Sequence, residues 1–303
     1  MFWVVQKQKG VADAMIKAVL HILVLAALFW YFRRNYVKPP PLKFSSLELE
    51  SILQKISKSL VSQDDFLSAL KGRRILLVGE THYKIEAISF FISLLSKIKE
   101  SPLVLLLELP AGLQPYLDSY LSKGEEKFLA EGWEKFDALP YKDVLRWAWQ
   151  NKNRIVRVVA MDEGKFRIRL TRLLLTDTRN ATMANHIFNA YQNFPNAKIL
   201  VYGGQLHMLL SGRYRYDVEN REPAGHRLLK LGLDRNAVST ILLAGVNDLP
   251  IEKAWALPGI LSTEKEAGIL SIAHYIDYPI FKVKHSKDAF DYLVHLGRVV
   301  LHR

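Results

Sequence analysis

The chain reads as an α/β fold: a mainly parallel sheet flanked by helices on both faces, preceded by an N-terminal transmembrane helix. Three observations predict it. Wholly apolar runs such as "ILLV" (75–78) and "PLVLLLELP" (102–110) alternate with segments of helical period. The runs are too uniformly apolar for a sheet with one wet face, so both faces must be covered. Ahead of them, residues 11–32 form a long, nearly uncharged stretch.

Taken in order, Ala18 to Phe32 is "AVLHILVLAALFWYF", interrupted only by His21. Extended back to Val11 it reaches 22 residues and takes in Asp13 and Lys17, close to the roughly 20 that span a bilayer. A cleaved signal peptide is the rival, but Phe32-Arg33-Arg34 offers no small-residue cleavage site. A start at Met15 would give a compact signal-anchor. The expectation is an anchor over 1–36, then a stiff proline linker over 37–46, "VKPPPLKFSS", then one α/β domain over 47–303. Basic residues flank the apolar stretch on both sides, so charge does not orient it. The domain is expected on the extracytoplasmic side.

After "ILLVGE", Ile88, Phe91, Leu95 and Ile98 fall on one helical face. Helical stretches follow "PLVLLLELP" through "LQPYLDSYLSKG" and "YKDVLRWAWQNKN", leading to the strand "RIVRVVAMDEG". A long helix over 166–193 precedes the strand "AKILVYGGQLH", and "AVSTILLAGV" and "YPIFKVK" read as further strands.

Composition narrows the function. The chain of 303 residues has no cysteine, which excludes disulfides, thiolate metal sites, thiol catalysis and a lipid-modified cysteine. A net charge of +12 favours an anionic partner. The basic residues are dispersed and form no nucleic-acid motif, so an anionic membrane surface is expected and nucleic acid is not. A homodimer is compatible with this reading.

The strand ends carry the chemistry. The first closes on Glu80 and His82, the second on Glu108, the third on Asp162 and Glu163, the fourth on Gln205 and His207. Ligands of open α/β sheets bind at that edge. Gly79-Glu80-Thr81-His82 and Gly204-Gln205-Leu206-His207 are both Gly-x-x-His, with the glycine read as a tight turn or a close approach. Imidazoles with carboxylates suit Zn, Mn, Fe or Co, or metal-free general-base chemistry toward water. Tyr214, in "GRYRYD" just after His207, is a candidate haem ligand. The basic cluster Lys165, Arg167, Arg169 and Arg172 would attract a phosphate or a haem propionate if it faced the mouth. The remaining histidines have no motif around them, and Trp133, Trp147 and Trp149 read as packing.

The paired motifs "LLVGETH" and "VYGGQLHM" resemble the superfamily that groups ChaN-like haem-binding proteins with erythromycin esterases and the TIKI/TraB proteases. "LLLELPAGLQPYLDSYLSKG" is similar to the ChaN-like pattern, "TDTRNATMANHI" resembles the "RN-x-x-MA" helix of both groups, and "AFDYLVHL" resembles their C-terminal end. The likeness covers residues 70–300. It implies that His82 and His207 are paired histidines, Glu80 and Glu108 their acidic partners, and Arg179 the arginine of the central helix. In the hydrolytic relatives such residues bind metal or activate water. In the ChaN-like relatives the same edge is associated with haem or iron. Two departures stand out: this chain has no cysteine to acylate, and "GETH" is one residue shorter between glycine and histidine than the esterase motif. The resemblance implies a membrane-anchored protein binding haem or iron, with His82, His207 and Tyr214 as ligands. The alternative is a metal- or His/Glu-dependent esterase or peptidase using Glu80, His82, Glu108, Arg179 and His207.

Overall fold

The computed structural model describes residues 19–27, 44–81, 85–128, 130, 141–163, 178–216, 219–245, 258–276 and 280–297. In chain order the elements are α1 (Ser46–Ser59), β1 (Leu60–Val61), α2 (Gln63–Leu70), β2 (Ile75–Glu80), α3 (Ile85–Lys97), β3 (Leu103–Pro110), α4 (Gln114–Lys123), α5 (Lys142–Gln150) and β4 (Ile155–Asp162). They continue with α6 (Thr178–Asn193), β5 (Lys198–Gly204), α7 (Gln205–Met208), β6 (Arg213–Tyr216), β7 (Glu219–Arg221), α8 (Ala224–Lys230), β8 (Val238–Ala244), β9 (Gly259–Ser262), β10 (Ile280–Phe281) and β11 (Tyr292–His295).

The main sheet has eight strands in the order β1-β9-β11-β8-β2-β5-β3-β4. From β11 to β4 every neighbouring pair is parallel. Strands β9 and β1 continue it antiparallel. The expected parallel sheet is therefore present, with an antiparallel margin at one side.

Alternation along the strands divides the core in two, as a pleated strand requires. Leu76 and Val78 of β2 face a layer made by α2, α3, α4 and α5, where Phe91 and Leu95 are fully buried. Ile75 and Leu77 face the opposite layer, made by α6 and α8 with Met183, Ile187 and Leu228. Helix α1 covers that second face farther along, packing Ile52 and Ile56 near Leu242 and Leu293. The α3 face expected from periodicity is the buried one: Ile88, Phe91, Leu95 and Ile98 are all in the core. Helix ends are fixed locally. Ser45 and Glu48 form a reciprocal capping box at α1, and Ser62 caps α2 through Asp65. Gly124 closes α4 at φ 75° under the Trp149 ring, which a Cβ would strike.

One expectation needs correction. "YPIFKVK" is not a strand of the main sheet: only Ile280–Phe281 pairs, antiparallel to β6 in a separate three-stranded sheet with β7. Lys282 adopts φ 62°, a left-handed conformation that ends the extended run. "AFDYLVHL" contains β11, a parallel strand against β8. The long helix begins, among the described residues, at Thr178; residues 164–177, with their basic cluster, lie outside the described set. Of the expected anchor, residues 19–27 are helical, and Leu20, Ile22, Leu23 and Leu25 are each at least 60% exposed. Among the described residues no helix is long and apolar enough to cross a membrane; the rest of the expected span lies outside them.

Phe91 sits at 0% exposure with its ring stacked 4.5 Å from Tyr202. Phe91→Ala should lower stability by about 3–5 kcal/mol, measured by urea unfolding of the purified protein. A loss under about 1 kcal/mol would show that this layer is not the closely packed one described.

Candidate functional site at the carboxyl edge

The four neighbouring strands β2, β5, β3 and β4 run parallel and end together. Glu80 pairs in register with Gly204, and Pro110 with Asp162. At about 4.8 Å between strands, Glu80, Glu108 and Asp162 start from an edge roughly 15 Å wide. The β3–β4 register slips between Leu107 and Pro110, just where Glu108 leaves the strand. Such irregularities re-aim side chains at sites.

Glu108 is the hub. Its side chain is 4% exposed. Oε2 accepts the Gly204 N–H at 2.5 Å, and Oε1 accepts from Arg179 while lying 3.5 Å from His207 Nε2. Arg179 also grips Asp162 with two bonds, Nε to Oδ1 at 2.7 Å and a terminal nitrogen to Oδ2 at 2.8 Å. Burial pulls the guanidinium pKa down, and Glu108 and Asp162 more than reverse the effect, so Arg179 stays charged. Arg179 therefore lies on the Met183–Ile187 face of α6 and holds two strand ends together.

The two strand-end glycines serve the chain's own close approaches. A Cβ on Gly203 would stand 2.5 Å from Glu108 Oε2, and one on Gly79 would stand 2.7 Å from the Gln205 Cα. The short helix α7 can thus lie against β2, and Glu108 can lie across β5.

His207 is set from behind. Asn180, fully buried beside Arg179, donates its Nδ2–H to the Tyr214 hydroxyl at 2.8 Å. This leaves Asn180 Oδ1 facing His207 Nδ1 at 2.5 Å, so Nδ1 carries the proton and Nε2 is the basic nitrogen. Tyr214 sits edge-on to the imidazole with ring centroids 6.1 Å apart and is itself buried. Glu163, the other carboxylate ending β4, accepts from Thr178 at 2.9 Å and Thr182 at 2.8 Å and so fixes the first turn of α6.

The opposite face of the edge carries Glu80 and two tyrosines. Glu80 is 3% exposed at the end of β2. Tyr202 of β5 is fully buried, and Tyr141, just ahead of α5, stands edge-on to it at 5.8 Å. Burial, followed by Glu108 and Glu80, pushes the Tyr141 phenol well up, and burial with Glu80 does the same to Tyr202.

The structure thus brings Glu108, His207 and Arg179 into direct contact and places Glu80 on the adjacent strand. His82 lies outside the described residues. Asn180, Tyr141 and Tyr202 were not singled out from sequence; only Asn180 had a signal, as the neighbour of Arg179 in "TRNATMANHI". His274 and His285 each contact a backbone carbonyl through Nδ1, consistent with their lack of motif context.

Of the four expected metal ligands, Glu80, Glu108 and His207 are described and His82 is not. Among the described residues no three His, Asp or Glu side chains form a metal-binding group. Glu108, moreover, takes a guanidinium on one oxygen and an amide on the other, so a cation there would lie against the positive charge of Arg179. Of the expected haem ligands, Tyr214 is buried within the Asn180–His207 contacts and His207 Nε2 faces the Glu108 carboxylate.

No family model matches the chain, and no curated protein sequence matches it. Among solved structures it is similar to a succinoglycan biosynthesis protein, with a TM-score of 0.61 and 11% identity over 84% of this chain and 98% of that one. It is also similar to a mutant of the erythromycin esterase EreC in its open conformation, with a TM-score of 0.58 and 12% identity over 84% of this chain and 97% of that one. A ChaN of Campylobacter jejuni, described with cofacial haem binding, overlaps at a TM-score of 0.41 and 12% identity over 80% of this chain and 93% of its own, too loosely to reason from. What these identities share is the fold. The chain has the fold of these two structures.

Removing Arg179 would leave two buried carboxylates facing each other. Arg179→Met should destabilise the protein by about 3–5 kcal/mol at neutral pH, read from the shift in the urea midpoint. A variant as stable as the parent would show that Glu108 and Asp162 do not depend on the guanidinium.

Proposed function

We propose that this chain is a hydrolase of ester or amide bonds in which His207 is the general base toward water and Glu108 stabilises the charge it acquires. The observation that carries the reading is the line Asn180–His207–Glu108. Asn180 holds Nδ1–H, and the basic Nε2 and Glu108 Oε1 are two acceptors 3.5 Å apart. A water lying between them would donate one hydrogen to each, which fixes its orientation and raises its nucleophilicity. As that water's oxygen bonds to the substrate carbonyl carbon, its proton passes to Nε2. The imidazolium then stands beside a buried carboxylate, as a forming positive charge requires. When the tetrahedral intermediate collapses, the bond to the leaving oxygen or nitrogen breaks and the proton on Nε2 passes to that atom. Arg179 and the Gly204 N–H hold Glu108 in place. Glu80, and His82 by its motif, would bind and orient the substrate from the next strand.

The fold shared with an erythromycin esterase supports this reading. Haem ligation through Tyr214 would break its contact with Asn180, and ligation through His207 Nε2 would compete with Glu108. The carboxylate-rich polar edge favours hydrolysis.

Anchoring at a membrane through residues 1–36 belongs to the same proposal. The exposed apolar side chains of the helix over 19–27 support it, together with the uncharged sequence around them.

The purified chain should turn over members of an ester and peptide-anilide panel. His207→Gln and Glu108→Gln should each lower kcat by about 10²–10⁴ with unchanged circular dichroism. Full activity in His207→Gln would sink the proposal. A saturable Soret shift with haemin, with no substrate turned over, would replace it with haem binding. Deleting residues 1–36 should move the protein from the membrane fraction to the supernatant, and a truncated protein that still pellets with membranes would refute the anchor.

A further inference from the structure

We infer that the Tyr141 hydroxyl is a further catalytic group, the hydrogen-bond donor that meets the negative charge developing on the substrate carbonyl oxygen. The inference rests on the hydrolase reading and deepens it. His207 and Glu108 provide a base and a countercharge for the base, but neither meets the oxyanion. The need for such a donor is acute at this edge. Among the described residues, buried Glu108 and Asp162 share the one guanidinium of Arg179, so a new anion beside them is repelled unless a donor compensates it.

Other donors are already committed. Arg179 is engaged by two carboxylates, and the Gly204 N–H is bound to Glu108. Tyr214 lies on the Nδ1 side of His207, behind the basic nitrogen. Tyr202 is enclosed at 1% exposure. Tyr141 differs in each respect. It is 9% exposed at the start of α5, and among the described residues no hydrogen bond occupies its hydroxyl. Its ring stands 5.8 Å from that of Tyr202, which pairs with Val78 two residues before the Glu80–Gly204 strand ends, so Tyr141 sits at the carboxyl edge of β2 and β5. Its ring is held rigidly: edge-on to Tyr202, which stacks on Phe91, while Val144 and Leu145 of the same helix are fully buried. Burial and the neighbouring carboxylates keep the phenol protonated, so the donor persists throughout the physiological pH range.

The test is Tyr141→Phe, which removes the hydroxyl and keeps the ring, assayed on the ester that the parent protein turns over fastest. Removal of an oxyanion donor should lower kcat by about 10²–10³ with KM nearly unchanged. The factor should be the same at every pH between about 6 and 9, because a group that stays protonated adds no limb to the profile. Gln205→Ala is run in parallel, since that half-buried carboxamide directly follows β5 at the same edge. A parental kcat in Tyr141→Phe, or a loss confined to Gln205→Ala, overturns the inference while leaving the His207 reading intact. A loss that appears in KM alone also overturns it. No turnover of any ester or amide by the parent chain overturns the hydrolase reading and this inference together.

Discussion

A carboxylate taken out of water at the end of a buried strand must be met by hydrogen bonds and a countercharge, and Glu108 meets that requirement in a way that fixes its surroundings. One oxygen takes the Gly204 amide and the other takes Arg179. Arg179 in turn takes both oxygens of Asp162. Three parallel strands and one helix are thereby tied at a single point. The remaining direction of Glu108 is toward His207 Nε2. The same ion cluster that makes the edge tolerable as structure therefore leaves one carboxylate aimed at an imidazole. Gly203 is the steric counterpart of this arrangement, since only a residue without Cβ lets the carboxylate cross β5.

The two faces of the sheet contribute unlike chemistry to one mouth. On the α6 side are charge and a base, with His207 locked from behind by Asn180 and Tyr214. On the α3 side are Glu80 and neutral phenols set in an aromatic stack. Pleating enforces the division, because Glu80 follows Leu76 and Val78 by steps of two, whereas Glu108 falls on the other parity from Leu107 and Leu109. A substrate lying across the edge would meet a nucleophile from one side and donors from the other, without either layer having to move.

Much of this was legible in the sequence, and the limits have physical causes. Uniformly apolar runs identified the central parallel strands, and their polar last residues marked the edge. Short strands escaped notice because four residues such as "YLVH" carry too little period to distinguish them from a loop. The gap in "YPIFKVK" turned on one backbone angle at Lys282, which composition does not encode. Asn180 adjoins a recognised arginine, but its role depends on α6 meeting both α7 and the small sheet that carries Tyr214. Tyr141 and Glu108 are far apart in sequence and share no motif; only α5 packing over the sheet brings the phenol to the strand edge. The strand-end glycines read as tight turns or close approaches, and at Gly203 and Gly79 the groups that approach are Glu108 and Gln205 of the same chain.

Strand order is the least legible feature and the one on which the site depends most. Had β2, β3, β4 and β5 been laid side by side in sequence order, as consecutive strands often are, Glu80 and His207 would stand three strands apart, roughly 14 Å. The chain instead goes from β2 past a vacant lane to β3 and β4, then returns to fill that lane with β5. His207 enters last, between the strand of Glu80 and the strand of Glu108. A base delivered by the returning strand finds its carboxylate partner already placed by β3, and its second carboxylate neighbour by β2. The two Gly-x-x-His turns become adjacent for the same reason, since Gly79 pairs with Gly203 and Glu80 with Gly204. Their similarity in sequence is the trace of two neighbouring strand ends solving one packing problem, each giving up a side chain so that polar groups can cross the edge.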